Sequence, residues 1–281
     1  MIDWGACSSL LFVPGHRADR VAKAVASGAD VVCIDLEDAV PASEKGSARS
    51  GLVRDILPGL SQADRNRVVV RINAITTRFG LDDILALADG DAMPSAVMLP
   101  KAQTPGEFDI LSAAFGDGAP DFVALVESIA GMDNAATIAA HPGVKALMLG
   151  VADLSGELGC KLAWEPLLAS RAALVRAGAR NGKTLIDGPC LHLDDDAELA
   201  RETTAARDLG FHMKAALHPK QLPDIHRVFR PSDDDVAFAR RALEAFEAGG
   251  GEAIRFEGQM MEAPLVRRLR DILSKEETAN A

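Results

Sequence analysis

Eight short apolar runs rich in β-branched residues lie between Leu10 and Leu217, and each is separated from the next by a stretch with helical character. They are Leu10–Pro14, Val31–Ile34, Val68–Arg71, Ala96–Leu99, Phe122–Glu127, Val144–Gly150, Thr184–Ile186 and Met213–Leu217. Short runs of this kind suit strands buried on both faces, as in a parallel sheet covered by helices. Eight of them alternating with helices specify a (β/α)8 TIM barrel, for which 281 residues is an ordinary length. The rival is an open doubly wound sheet. Its dinucleotide-binding form has no support, because no GxGxxG follows an early strand. Helix punctuation fits the alternation: Gly28 ends a helix from about Ala18, Pro58-Gly59 stops one opened by Ser43 and Glu44, and Thr104-Pro-Gly-Glu107 is a strong helix start.

The barrel pattern is complete near Arg230, so the expected division is a barrel at 1–230 and a helical extension at 231–281. Val236, Ala239, Leu243 and Phe246 form one apolar helix face, and Gly249-Gly-Gly251 then breaks the chain. The tail beyond is apolar too, with Met260, Leu265, Val266, Leu269 and Ile272. A closed barrel has no vacant groove for it, so the extension is expected to dock on a neighbouring subunit.

Strand ends are where barrels of this class place their chemistry. Two successive apolar runs each lead to a carboxylate, Glu127 and Asp153. Side by side they offer the oxygen ligands that a hard divalent cation such as Mg²⁺ takes, with water and substrate completing the shell. The alternative is that both acids only cap the following helices. Arg71 ends the third strand, and its planar fork suits a substrate carboxylate, unless it is spent on nearby acids. Asp35-Leu-Glu37-Asp38 is dense in charge. Glu37 is placed to accept hydrogen bonds from metal-bound water, or else these acids cap a helix and neutralise Arg71. Lys101 raises a Schiff-base aldolase as a rival, although a lysine beside several acids is more naturally their charged partner. Asp187 and His218 also fall at strand ends.

The net charge of −11 argues against binding nucleic acid or an anionic membrane, so an anionic small substrate needs a local basic cluster. His16, Arg17, Arg20 and Lys23 supply one on the first loop and helix. Cys7, Cys33, Cys160 and Cys190 are scattered without a CxxC pair, which disfavours a disulfide framework or a zinc site. With no signal peptide and no apolar span of membrane length, the default location is the cytoplasm.

Seven segments together resemble one family. Leu-Leu-Phe-Val-Pro-Gly-His-Arg-Ala-Asp-Arg-Val-Ala-Lys (10–23), Ile-Asp-Leu-Glu-Asp-Ala-Val (34–40), Val-Arg-Ile-Asn (70–73), Leu-Pro-Lys (99–101), Val-Glu-Ser (126–128), Gly-Val-Ala-Asp-Leu (150–154) and Leu-His-Pro-Lys-Gln (217–221) are similar to motifs of the citrate lyase β-subunit-like family. That family includes malyl-CoA and citramalyl-CoA lyases. The resemblance implies a Mg²⁺-dependent enzyme acting on CoA or acyl-carrier thioesters as a homo-oligomer, a trimer or hexamer. By match, Glu127 and Asp153 hold the metal, Asp153 also faces the substrate, Arg71 binds the substrate acid, and Phe12, Arg17 and Lys23 contact the carrier. Gly258-Gln-Met-Met-Glu262 stands where members carry Gly-Lys-Met-Val/Ile-Asp, so Glu262 is expected to reach a neighbouring active site. The implied activity is carbon–carbon cleavage of a 3-hydroxy-3-carboxy acyl thioester to an oxo acid and an acyl thioester. Arg71, Glu37 and Glu262 are the catalytic candidates. The rivals are a thioesterase on the same site and a non-catalytic CoA- or metabolite-binding barrel.

Overall fold

The computed structural model describes residues 1–279. Eight parallel strands close into a barrel: β1 Ser9–Pro14, β2 Val31–Asp35, β3 Val68–Arg71, β4 Ala96–Leu99, β5 Asp121–Val126, β6 Val144–Leu149, β7 Thr184–Asp187 and β8 Met213–Ala216. Each pairs with its sequence neighbour, and closure comes from β1 on β8, with Leu10 opposite Ala215. The expected fold is therefore the observed one, with strand ends shifted by a residue or so.

Side chains alternate across a strand, so one parity points into the barrel and the other towards the helices. Val31, Cys33, Val69, Met98, Val123 and Leu125 belong to the inner set, which Ile2 joins and against which Trp4 packs. Continuing that parity to the strand ends brings Asp35, Arg71 and Glu127 into one mouth. Phe12, on the inner row of β1, is partly buried against the same core. The outer set, including Val32, Ile34, Val97 and Leu147, is fully buried under the helices. All four cysteines are free thiols; Cys33 sits in the inner core, where burial pushes its pKa far up.

Three details differ from the sequence reading. First, β6 stops at Leu149 and a helix, Val151–Leu158, starts at once, so Asp153 stands in a first helical turn and not on a strand. Second, Asp187 belongs to the outer parity of β7 and points away from the mouth. It is fully buried against Arg171 Nε at 2.8 Å and Lys214 Nζ at 2.8 Å. Third, the helix expected to run to Leu57 contains a π turn, Leu52–Ile56, between Lys45–Gly51 and Leu57–Gly59.

The chain separates into two compact units, Met1–Ile225 and the residues from His226 onward. The division falls a few residues before the expected 230/231, within a helix, Leu222–Phe229, that the sequence reading did not assign. In the second unit a helix, Asp233–Ala248, opens on a capping box between Ser232 and Asp235. A hairpin pairs Ile254–Phe256 with Gln259–Met261, and the helix Ala263–Ala279 follows. Ala239, Ala242, Leu243 and Phe246 pack with Met261, Val266 and Leu269 in a core of their own. This corrects the premise that the tail's apolar residues need a neighbouring subunit: most of them bury one another. Among the described residues, no helix is long and apolar enough to cross a membrane.

Candidate active site

The mouth of the barrel holds a cavity of about 350 Å³ lined by Asp35, Arg71, Glu127 and Asp153 among polar residues, and by Phe12, Leu125, Met148, Leu191 and Leu217 among apolar ones. Arg71 is its anchor. Its Nε and Nη2 make a two-pronged bond to Asp35, at 2.8 and 2.6 Å. Nη1 lies 2.9 Å from Glu37 Oε2, an ion pair whose angle falls short of a hydrogen bond. The guanidinium also sits over the Phe12 ring, 5.2 Å from its centroid. Of the two sequence readings of Arg71, pairing with neighbouring acids is thus realised, while the fork still lines the cavity with N–H groups to spare. Asp35 is fully committed: its oxygens also accept the amides of Glu37 at 2.8 Å and Ala39 at 3.0 Å.

Glu127 is only 6% exposed. Its Oε1 accepts the Lys101 amide at 2.8 Å, a contact made possible by the left-handed backbone of Lys101 (φ 52°). On the other side it rests on Gly150, where any Cβ would come within 2.5 Å of Oε2. Glycine is therefore required at that position for the carboxylate to lie in the mouth. Burial, with the nearby Glu37 carboxylate, pushes the Glu127 pKa up to about 8. Burial likewise raises that of Glu37, against the pull of Arg71. The Lys101 ammonium bridges Glu37 Oε1 at 3.2 Å and Asp153 Oδ2 at 3.4 Å. Burial alone would lower its pKa, but Glu37 and Asp153 outweigh this and the net shift is upward. A lysine held cationic in this way is a charge partner and not a Schiff-base nucleophile.

These observations fit a divalent cation. A buried carboxylate with one amide bond and no cation of its own costs free energy that a metal ion would recover. Among the described residues no cluster of three or more His, Cys, Asp or Glu is arranged to hold an ion. Glu127 and Asp153 line the same cavity and are two hard oxygen donors of the kind Mg²⁺ takes, with water and substrate completing its shell.

Beyond Phe12 and Leu217 a second cavity of about 470 Å³ carries Arg17, Arg20 and Lys23. Arg17 is bound through Nε and Nη2 to Asp19 at 3.0 and 3.1 Å. Lys23 and Arg20 are exposed, which makes them the more available cations of the groove. His218 is a helix-start residue as its position suggested, accepting the Lys220 amide on Nδ1 at 3.1 Å. His192 pairs with Glu198. Glu262 is exposed at the start of the last helix of the second unit, its carbonyl accepting the Val266 amide.

Several supporting residues escaped the sequence reading. Lys45 Nζ donates to the carbonyls of Leu36 and Glu37 at 3.0 and 2.7 Å and to Asn73 Oδ1 at 2.6 Å. Asn73 Nδ2 in turn reaches Asp83 at 2.7 Å, and Arg49 holds Asp83 at 2.7 Å. This chain grips the loop that carries Glu37. Gln221 joins two other loops of the mouth: Oε1 accepts the Leu217 amide at 2.8 Å and Nε2 donates to the Cys190 carbonyl at 3.0 Å. Asn73 and Gln221 do lie in motif segments, and the charge of Lys214 within Met-Lys-Ala-Ala was a visible signal of a buried partner.

Comparison with known proteins is consistent with this geometry. The family model described as HpcH/HpaI aldolase/citrate lyase matches residues 8–219. A (3S)-malyl-CoA thioesterase of Cereibacter sphaeroides is 34% identical over 281 residues, covering 97% of this chain and 95% of that protein. A citrate lyase subunit beta-like protein of Mycobacterium tuberculosis is 36% identical over 272 residues, with 94% of each chain covered. Among solved structures, protein CitE of M. tuberculosis in complex with magnesium, acetoacetate and coenzyme A has a TM-score of 0.83 at 34% identity, covering 96% of this chain and 98% of that one. A citrate lyase beta subunit from the same organism, complexed with oxaloacetate and magnesium, has a TM-score of 0.72 at 34% identity, covering 82% and 100%.

Proposed function

Because the chain belongs to the HpcH/HpaI aldolase/citrate lyase family, we propose that it is a Mg²⁺-dependent carbon–carbon lyase that cleaves a 3-hydroxy-3-carboxy acyl thioester of coenzyme A. The observation that carries the reading is the buried, cation-deprived Glu127 beside Asp153 and the anchored fork of Arg71. Glu127 and Asp153 would hold Mg²⁺, which would supply a Lewis acid for the substrate's oxygens. Arg71, held rigid by Asp35 and Glu37, offers its uncommitted N–H groups to the thioester carbonyl, where negative charge develops. Lys101 keeps Glu37 and Asp153 in place. A base removes the hydroxyl proton, the hydroxyl-bearing carbon becomes a carbonyl, and the bond to the neighbouring carbon breaks. The electron pair stays with the thioester as an enolate, which then takes up a proton. Glu262 of a neighbouring subunit is the proposed base.

The carrier lies along Phe12, Arg17 and Lys23, and the charge of the two basic side chains suits its phosphates. The protein works in the cytoplasm as a homo-oligomer, a trimer or hexamer, with the extension from about residue 231 placed at the interface. The test is product analysis with and without Mg²⁺. Release of an oxo acid together with an acyl-CoA, abolished by EDTA, supports the reading, and full activity in EDTA refutes it. The likeness to a malyl-CoA thioesterase favours hydrolysis as the second reading. Free CoA without an oxo acid is its signature.

A further inference from the structure

The run Met213-Lys-Ala-Ala216 is buried on both faces, yet it carries a charge. Lys214 is fully buried on the outer face of β8, behind the barrel wall. An ammonium is tolerable there only if each of its hydrogens finds an acceptor. Its Nζ lies 2.8 Å from Asp187 Oδ2, 3.0 Å from the Gly188 carbonyl oxygen and 3.4 Å from Glu202 Oε2. Arg171 Nε donates to the other oxygen of Asp187 at 2.8 Å, and its guanidinium stacks on Trp164, 4.0 Å from the ring centroid. Arg171 and Lys214 balance Asp187 and Glu202, and the four side chains come from β7, β8 and the helices Leu168–Arg180 and Asp196–Leu209. None of them lines the mouth cavity.

A buried ionic network adds little stability that apolar residues of the same shape would not supply. What an apolar side chain could not do is hold the Gly188 carbonyl, at the point where β7 leaves the barrel. Gly188 in turn rests on the exit of β6. A Cβ there would come within 2.7 Å of Val151 Cγ1 and 2.9 Å of the Leu149 carbonyl oxygen. Val151 opens the helix Val151–Leu158, whose first turn carries Asp153. The Asp153 side chain is 43% exposed, and its ion pair among the described residues is with Lys101 at 3.4 Å, a cation shared with Glu37. Its position is therefore set more by the turn beneath it than by its own contacts. Pro189 and Leu191, further along the β7 exit, reach the wall of the mouth cavity.

We propose that Lys214 is a positioning residue for the metal site: from behind the barrel wall it fixes the exit of β7, and through Gly188 it fixes the turn that carries Asp153. This rests on the reading of Asp153 as a Mg²⁺ ligand and adds a residue that never touches the ion or the substrate.

The experiment titrates Mg²⁺ alone into the protein by calorimetry and follows amide hydrogen exchange across Val151–Leu158. Lys214→Met combined with Glu202→Gln removes one charge of each sign and leaves Asp187 its Arg171 partner. Gly188→Ala disturbs the contact with Val151 directly, and it decides by the same criteria if the double variant does not fold. Val32→Ala, a truncation on the fully buried outer face of β2, is the control for lost stability, with urea midpoints measured for all. The expected result is Mg²⁺ affinity weakened about tenfold or more, with faster exchange in Val151–Leu158, and neither change in the control. Wild-type Mg²⁺ affinity in the variants, or an equal loss in Val32→Ala, overturns the proposal. Asp153→Asn tests the underlying reading separately. If that variant binds Mg²⁺ as the wild type does, or the wild type binds none, the metal reading falls and exchange alone decides: faster exchange in the variants but not the control supports the positioning role, and unchanged exchange overturns it.

Discussion

Replacing Glu127 with Gln should change how the protein's stability depends on pH, and the size of the change follows from the burial of this one group. In the folded, metal-free protein the Glu127 carboxyl keeps its proton up to about pH 8, whereas in the unfolded chain it ionises near its ordinary 4.5. Between those values the unfolded state releases a proton that the folded state holds, so stability falls as pH rises from about 4.5 to about 8 and then levels off. The loss attributable to Glu127 is on the order of 5 kcal/mol, from about 1.4 kcal/mol for each pH unit of displacement between 4.5 and about 8. Glu127→Gln is nearly isosteric and removes the ionisation, so in EDTA the variant should be more stable than the wild type at pH 8.5 and similar to it near pH 4.5. Magnesium competes with the same proton, so it should stabilise the wild type more at pH 8.5 than at pH 6 and leave the variant almost unaffected. Urea unfolding in EDTA near pH 4.5 and at pH 8.5, and with and without excess Mg²⁺ at pH 6 and pH 8.5, reads these comparisons for both proteins. Parallel pH profiles for the two proteins in EDTA would refute the argument that burial holds this carboxyl neutral.

Arg71→Met should cost about 3–5 kcal/mol of stability as well as activity, because it strands the buried Asp35 beside Glu37; urea unfolding checks this, and a wild-type midpoint would contradict the central anchoring role. Lys45→Met should lower stability by about 1–3 kcal/mol and kcat by roughly tenfold through the loop that carries Glu37, to be measured by unfolding and steady-state kinetics. Lys23→Glu should raise KM for a CoA thioester about fivefold or more with little change in kcat, and it is a cleaner probe than Arg17, which Asp19 already neutralises in part. Mixing Glu262→Ala with Glu127→Gln subunits should recover up to about a quarter of the wild-type rate, the share of mixed sites in which both residues are intact. No recovery from a mixture shown to have exchanged subunits removes Glu262 from the neighbour's site.

The eightfold alternation of apolar runs and helices was enough to specify the barrel, because no other arrangement buries eight doubly apolar strands so economically. The same pattern brought Arg71 and Glu127 to the mouth, since each ends or follows a strand and barrel topology gathers those ends. What the linear pattern lacks is parity. A run such as Thr184-Leu-Ile186 is apolar on both faces and gives no sign of which face turns inward. Asp187 was therefore assigned to the mouth when the register of β7 sends it outward to Arg171 and Lys214. Asp35 and Glu37 look alike in sequence. Only the fold gives Asp35 the two prongs of an arginine thirty-six residues away and leaves Glu37 shared between Arg71 and Lys101. The tail follows the same logic: each of its helices shows an exposed apolar stripe when read singly, and the chain's return through a hairpin lays the two stripes together. Local periodicity records which residues avoid water. Which partners they find depends on contacts between segments far apart in the chain, and those exist only once the strands have closed.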